Sequence, residues 1–134
     1  MGTSKKSILL ADDDHSDRAI LREIFSQLDK SVKIEIVSNG WEILQYIAEC
    51  AKDKLPCLCI LDFNMPFMNG IEVVERLKAE KINEQMPTVI WSAFADKRLM
   101  ERCIQAGAVN CFPKPEKASE LKAIARQMME YCLT

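Results

Sequence analysis

The sequence predicts an α/β fold: a parallel sheet with helices on both faces. Two observations carry that expectation. Five short strand-like runs alternate along the chain with five stretches of helical apolar spacing. Strands joined through helices must cross over, and so run parallel. Three of the runs also lack polar alternation, as strands buried on both sides do. A third observation concerns function: chemistry-bearing side chains stand at the carboxyl ends of the runs, where open parallel sheets gather their sites.

Ile8-Leu9-Leu10-Ala11 is continuously apolar and stops abruptly in acid. Ile20, Leu21, Ile24, Phe25 and Leu28 then recur at helical spacing, with His15 at the start of that helix. Val32 to Val37 partly alternates, as a strand near a sheet edge should. Asn39-Gly40 precedes a second helix marked by Ile43, Leu44, Ile47 and Ala48. Cys57 to Leu61 is a fully apolar strand. Ile71, Val74 and Leu77 follow Asn69-Gly70 at helical steps, and Thr88 to Trp91 is the fourth strand. Leu99, Cys103 and Ala106 lie on a fourth helix that Gly107 closes. Val109 to Phe112 is the fifth strand, and Leu121, Ile124, Ala125, Met128 and Cys132 line the last helix. Met128 and Met129 read as packing, and Trp41 as half exposed.

The 134 residues suit one domain over 1–134, with a core from about 7 to 132. The 18 Lys+Arg against 20 Asp+Glu leave a net charge of −2, which argues against a nucleic-acid-binding face. No apolar run approaches the ~20 residues of a membrane span. The basic stretch Met1 to Lys6 has no signal-length apolar segment behind it. A cytoplasmic protein is expected. Six cysteines form no C-x-x-C pair and there is one histidine, short of the four ligands of a structural zinc site. Reduced core thiols are expected, with Cys57 and Cys59 acting as small hydrophobes.

The first strand ends in Asp12-Asp13-Asp14, the third in Asp62, the fourth in Ser92, and the fifth, after Pro113, in Lys114. Singly, each is a turn residue, a helix cap or a solvated lysine. Together they complement one another. Two carboxylates about 4 Å apart repel by about 4 kcal/mol at an effective dielectric near 20. A divalent cation plus Lys114 offsets Asp12, Asp13 and Asp62, and oxygen-only ligands in a half-open site suit Mg²⁺. Such a site is ready for a phosphoryl group. Asp62 would be the nucleophile, forming an acyl phosphate. Asp13 and Asp62 would share the ion with phosphoryl oxygens, and Asp12 would hold the ion or its water. Lys114 and Ser92 would contact other phosphoryl oxygens. Asn64 would offer a backbone carbonyl to the metal, with its side chain near a hydrolytic water. Asp13 with Asp14 is the alternative acidic pair; the earlier pair is preferred because the apolar strand stops at Ala11.

The chain resembles the receiver domain of two-component response regulators. Ile8 to Asp14 is similar to that family's first strand and acidic pair, and Leu61-Asp62-Phe63-Asn64-Met65-Pro66 with Asn69-Gly70 to its phosphoacceptor segment. Trp91-Ser92-Ala93 and Lys114-Pro115 resemble its hydroxyl and lysine motifs. The likeness runs from about Ile8 to Cys132 and leaves no stretch over for an output domain, which implies a stand-alone receiver that docks to a partner. It implies a flavodoxin-like sheet in the order 2-1-3-4-5. It also implies phosphotransfer to Asp62 from a histidine kinase or phosphotransfer protein, in a Mg²⁺-dependent phosphorelay step. The output would be a remodelled protein-binding face built by helix four, strand five and helix five. The chain would be no enzyme beyond self-directed phosphotransfer and autodephosphorylation. The Lys114–Pro115 peptide would be cis.

Three departures stand out. Cys111 occupies the place of the family's switch aromatic, with Phe112 as a neighbour that could take part. Pro113 removes a backbone donor just before Lys114. Ser92 stands where threonine is equally familiar. Two rival functions differ in chemistry. A phosphohydrolase of the haloacid dehalogenase type needs a second acid two residues after its nucleophile, and Asn64 cannot protonate a leaving group. An unphosphorylated scaffold finds its support in Cys111. His15, with no second histidine, is a poor phosphorelay or metal residue.

Overall fold

Along every central strand, successive side chains point to opposite faces. In the computed structural model, Ile8 and Leu10 pack on one side of the sheet while Leu9 and Ala11 pack on the other. The structure describes residues 6–132; the N-terminal stretch up to Lys5, considered above as a signal, lies outside the described residues. The elements are β1 Ser7–Ala11, α1 His15–Leu28, β2 Lys33–Val37, α2 Gly40–Glu49, β3 Leu58–Asp62, α3 Gly70–Ala79, β4 Thr88–Ser92, α4 Lys97–Ala106, β5 Asn110–Pro113 and α5 Ala118–Cys132. All pairings are parallel, in the order β2-β1-β3-β4-β5. This is the predicted fold class and the flavodoxin-like strand order.

Leu21 and Phe25 of α1 join Leu121, Ala125 and Met128 of α5 over one face of the sheet. Ile43 and Ile47 of α2, Val73, Val74 and Leu77 of α3, and Leu99 and Cys103 of α4 cover the other. Ile20, grouped above with the apolar positions of α1, is 43% exposed, because it lies beyond the stripe that faces the sheet. Val32 and Val109 fall just before β2 and β5. Two one-turn 3-10 helices, Lys52–Lys54 and Ile82–Glu84, had no periodic signal to announce them.

Capping sets where the helices begin. Asp14 accepts hydrogen bonds from the N–H groups of Ser16 and Asp17, Asn39 from Glu42 and Asp96 from Leu99. Asn69 and Glu72 form a reciprocal capping box. Gly107 closes α4 with φ of 125°, a conformation that disfavours side chains. Gly40 is constrained by space: a Cβ there would stand 2.7 Å from Val73 Cγ2 and 3.2 Å from Met68 Cβ. Gly40→Ala is therefore expected to destabilise by about 1–3 kcal/mol through overpacking between α2 and α3. Urea denaturation checks it; an unchanged midpoint would show that the two helices part freely.

Two expectations need correction. Cys57 and Cys132, read as thiols, are joined as a disulfide, with Cα atoms 4.8 Å apart. That separation lies in the bridging range. Docking of α5 brings together residues 75 positions apart, which spacing along the chain does not reveal. Cys50, Cys59, Cys103 and Cys111 are free thiols. Second, no cis peptide occurs among the described residues, so Lys114–Pro115 is trans, the isomer that X–Pro bonds ordinarily prefer. No helix among the described residues is long and apolar enough to cross a membrane.

Candidate functional site

Adjacent parallel strands carry their carboxyl ends to the same rim, so whatever follows β1, β3, β4 and β5 meets there. Asp12 follows β1 and is fully buried; Asp62 ends β3 and is 6% exposed. Asp13 is exposed beside them. One carboxylate oxygen from each of the three lies within 4.8 Å of the others. Lys114 follows β5, and its backbone N–H donates to Ser92 O at 2.8 Å, which continues the β4–β5 ladder by one residue. Its ammonium thereby reaches inward, 3.0 Å from Asp12 Oδ2 and 3.2 Å from Asp62 Oδ2. It also lies 4.6 Å from the centre of the Trp91 ring, within cation–π range. Pro113 leaves this presentation intact, because the lysine supplies its own backbone donor.

Local backbone groups fix the acids. The Asp14 N–H donates to Asp12 Oδ1 at 2.8 Å, and the Asn64 N–H to Asp62 Oδ1 at 3.2 Å. Asp14 itself caps α1 and stands outside the acidic trio, so the earlier pair, Asp12 and Asp13, faces Asp62. Ser92 is buried at the end of β4, where its Oγ accepts from the Phe94 N–H at 3.2 Å. Asn64 is exposed beside Asp62. Sequence reading missed one member. Asp17, in the first turn of α1, lies 2.8 Å from Lys114 Nζ. An acid there reads as a favourable partner for the helix dipole, and nothing local places a lysine from β5 beside it.

Burial, with the charge of Asp12 added, pushes the Asp62 carboxyl up to about 7 against the pull of Lys114. Burial likewise raises Asp12 above the ordinary carboxylate range. For Lys114 burial alone would favour the neutral amine, but the hydrogen bond to Asp17 and the charges of Asp12 and Asp62 outweigh it and hold the ammonium on. Several carboxylates around one ammonium leave excess negative charge. An all-oxygen donor set of that sign fits a hard divalent cation.

Cys111 is buried on the helix α4 side of β5, in the same core cluster as Cys103 of α4. Phe112 points the opposite way, into the core under α1 and α5. The period of the strand thus separates it from the place that Cys111 fills.

An acidic trio with a half-buried lysine, at the carboxyl rim of a 2-1-3-4-5 parallel sheet, defines a receiver-type α/β domain. Residues 8–126 match the family described as response regulator receiver domain, and the chain belongs to that family. It is 30% identical over 117 residues to a chemotaxis protein CheY homolog of Campylobacter jejuni, covering 86% of this chain and 85% of that one. It is 26% identical over 124 residues to sporulation initiation phosphotransferase F of Bacillus subtilis, covering 92% of this chain and 94% of that protein. The phosphorylated cyanobacterial phytochrome response regulator RcpA shares the fold, with a TM-score of 0.84 at 22% identity, over 98% of this chain and 96% of that one. Some other relatives are longer, and the chain spans 56% and 53% of the length of two of them.

Proposed function

We propose that Asp62 accepts a phosphoryl group from the phosphohistidine of a histidine kinase or phosphotransfer protein, and that the modified state alters a protein-binding surface. One observation supports this above all: a single ammonium lies within 3.2 Å of both buried carboxylates, while Asp13 stands open to solvent beside them. An Asp62 oxygen attacks phosphorus, the new O–P bond forms as the N–P bond of the donor breaks, and the freed imidazole nitrogen takes up a proton. Backbone donation from Asn64 orients the attacking carboxylate. Lys114 offers its charge to a phosphoryl oxygen. The Ser92 hydroxyl offers a donor to another, and turning toward it would disturb the Phe94 contact at the start of the β4–α4 loop.

Asp12, Asp13 and Asp62, with the Asn64 carbonyl, would hold Mg²⁺, which when bound neutralises charge that develops on the phosphoryl oxygens. Residues 1–134 would act as one receiver unit that docks to a downstream protein rather than to nucleic acid. They would turn over no substrate beyond phosphotransfer to Asp62 and its later hydrolysis. Asn64 supports this over the phosphohydrolase reading, since an amide supplies no proton to a leaving group.

Mass spectrometry of protein treated with acetyl phosphate tests the proposal. The expected result is one phosphoryl group, mapped to Asp62, formed with Mg²⁺ and lost in Asp62→Asn. Equal label in that variant, or label independent of Mg²⁺, would refute the assignment. Absence of label would favour the scaffold reading.

A further inference from the structure

Lys114 has one carboxylate partner more than the reaction above needs. Its ammonium donates hydrogen bonds to Asp17 Oδ2 at 2.8 Å and Asp12 Oδ2 at 3.0 Å, while Asp62 stands farther off at 3.2 Å. The residue to be modified thus has the weakest hold on the lysine. Asp12 is fully buried and tied by the Asp14 N–H, so it has nowhere to turn. The Asp17 side chain is 35% exposed and can leave the lysine for water. Among the described residues, the carboxylates near enough to share a cation are Asp12, Asp13 and Asp62; Asp17 is not one of them. A cation in that trio leaves the Asp17 charge to be balanced by Lys114. A phosphoryl group carries about −1.5 to −2 and needs the same ammonium.

We propose that Asp17 is a positioning residue that holds Lys114 in the resting state and competes with the incoming phosphoryl group for its ammonium. The inference rests on Asp62 as phosphoacceptor. Asp17 acts as a brake: uptake requires Lys114 to release it, and its charge opposes the arriving phosphoryl group. Trp91 reports the lysine position, because the ammonium lies 4.6 Å from its ring centre.

The test compares the parent, Asp17→Asn and Asp17→Glu, all carrying Trp41→Phe so that Trp91 is the remaining indole. In Asp17→Asn, labelling of Asp62 by acetyl phosphate with Mg²⁺ is expected to be about three- to tenfold faster, as removal of one partly exposed charge near a doubly charged group predicts. Its Trp91 emission, read without metal or phosphodonor, is expected to differ from that of the parent. Asp17→Glu, which restores the charge, returns both readouts toward the parent. A general loosening of α1 would lower the melting temperature without faster labelling, and would overturn the proposal. Labelling of Asp17→Asn at or below the parent rate would overturn it as well, and leave Asp62 as acceptor standing. A parent that takes no label at Asp62 overturns both.

Discussion

Lys114→Met is expected to be less stable than the parent by about 3–5 kcal/mol near neutral pH, and to take up no phosphoryl label. The ammonium is the cation that faces both buried acids, at 3.0 Å from Asp12 and 3.2 Å from Asp62. Its removal leaves two carboxylates facing each other out of water, which is among the costlier defects a core can carry. Asp17 escapes to solvent, but Asp12 and Asp62 do not. The deficit also has a definite pH dependence. Loss of the lysine raises two folded-state carboxyl pKa values that burial has raised already, so both acids take up protons as pH falls. The penalty is thus greatest above those pKa values and shrinks below them. Urea titrations at about pH 8 and pH 5.5 measure it. A deficit of the same size at both would show that lost packing, rather than unpaired charge, is responsible.

The parent without metal is expected to lose stability between about pH 4 and pH 8. The Asp62 carboxyl, at about 7 in the folded chain, lies well above the ordinary value of 3.8 that it regains on unfolding. Between those values the folded state binds more protons than the unfolded state, so unfolding free energy falls as pH rises. Stability contributed by the protonated acid is complete below the unfolded pKa and gone above the folded one. A shift of that size corresponds to a few kcal/mol, on the order of 1.4 per pKa unit. Asp62→Asn is expected to flatten the curve and to exceed the parent in stability at about pH 8. Lys114 retains Asp12 and Asp17 in that variant. Added Mg²⁺ should recover the loss in the parent, since a ligand bound only by the folded state stabilises it. A flat parent curve would show that water reaches Asp62 freely.

Much of the fold was legible because strands buried on two faces and helices buried on one write different periods into the chain. Ile8 to Ala11, Cys57 to Leu61 and Thr88 to Trp91 were apolar without interruption, and a buried parallel strand leaves little room for anything else. Asp12, Asp13, Asp62 and Lys114 were legible for a related reason: each follows such a run, and the carboxyl ends of parallel strands share one rim. Asp17 was missed because its meaning depends on Lys114, almost a hundred residues away. Ile20 was misplaced because helical spacing marks a stripe without its exact edges.

The chain alone determined the periodicities, the element order, and the set of acids and amine available for chemistry. These depend on neighbours a few residues apart. The tertiary structure alone decided which distant partners the side chains meet: Lys114 on Asp17 as well as Asp12, Cys57 on Cys132, and Cys111 against Cys103. It also decided that Asp62 titrates near 7. The reason is physical. Burial and distance between charges are properties of the packed molecule, set by how the helices close over the sheet, and no local pattern encodes them.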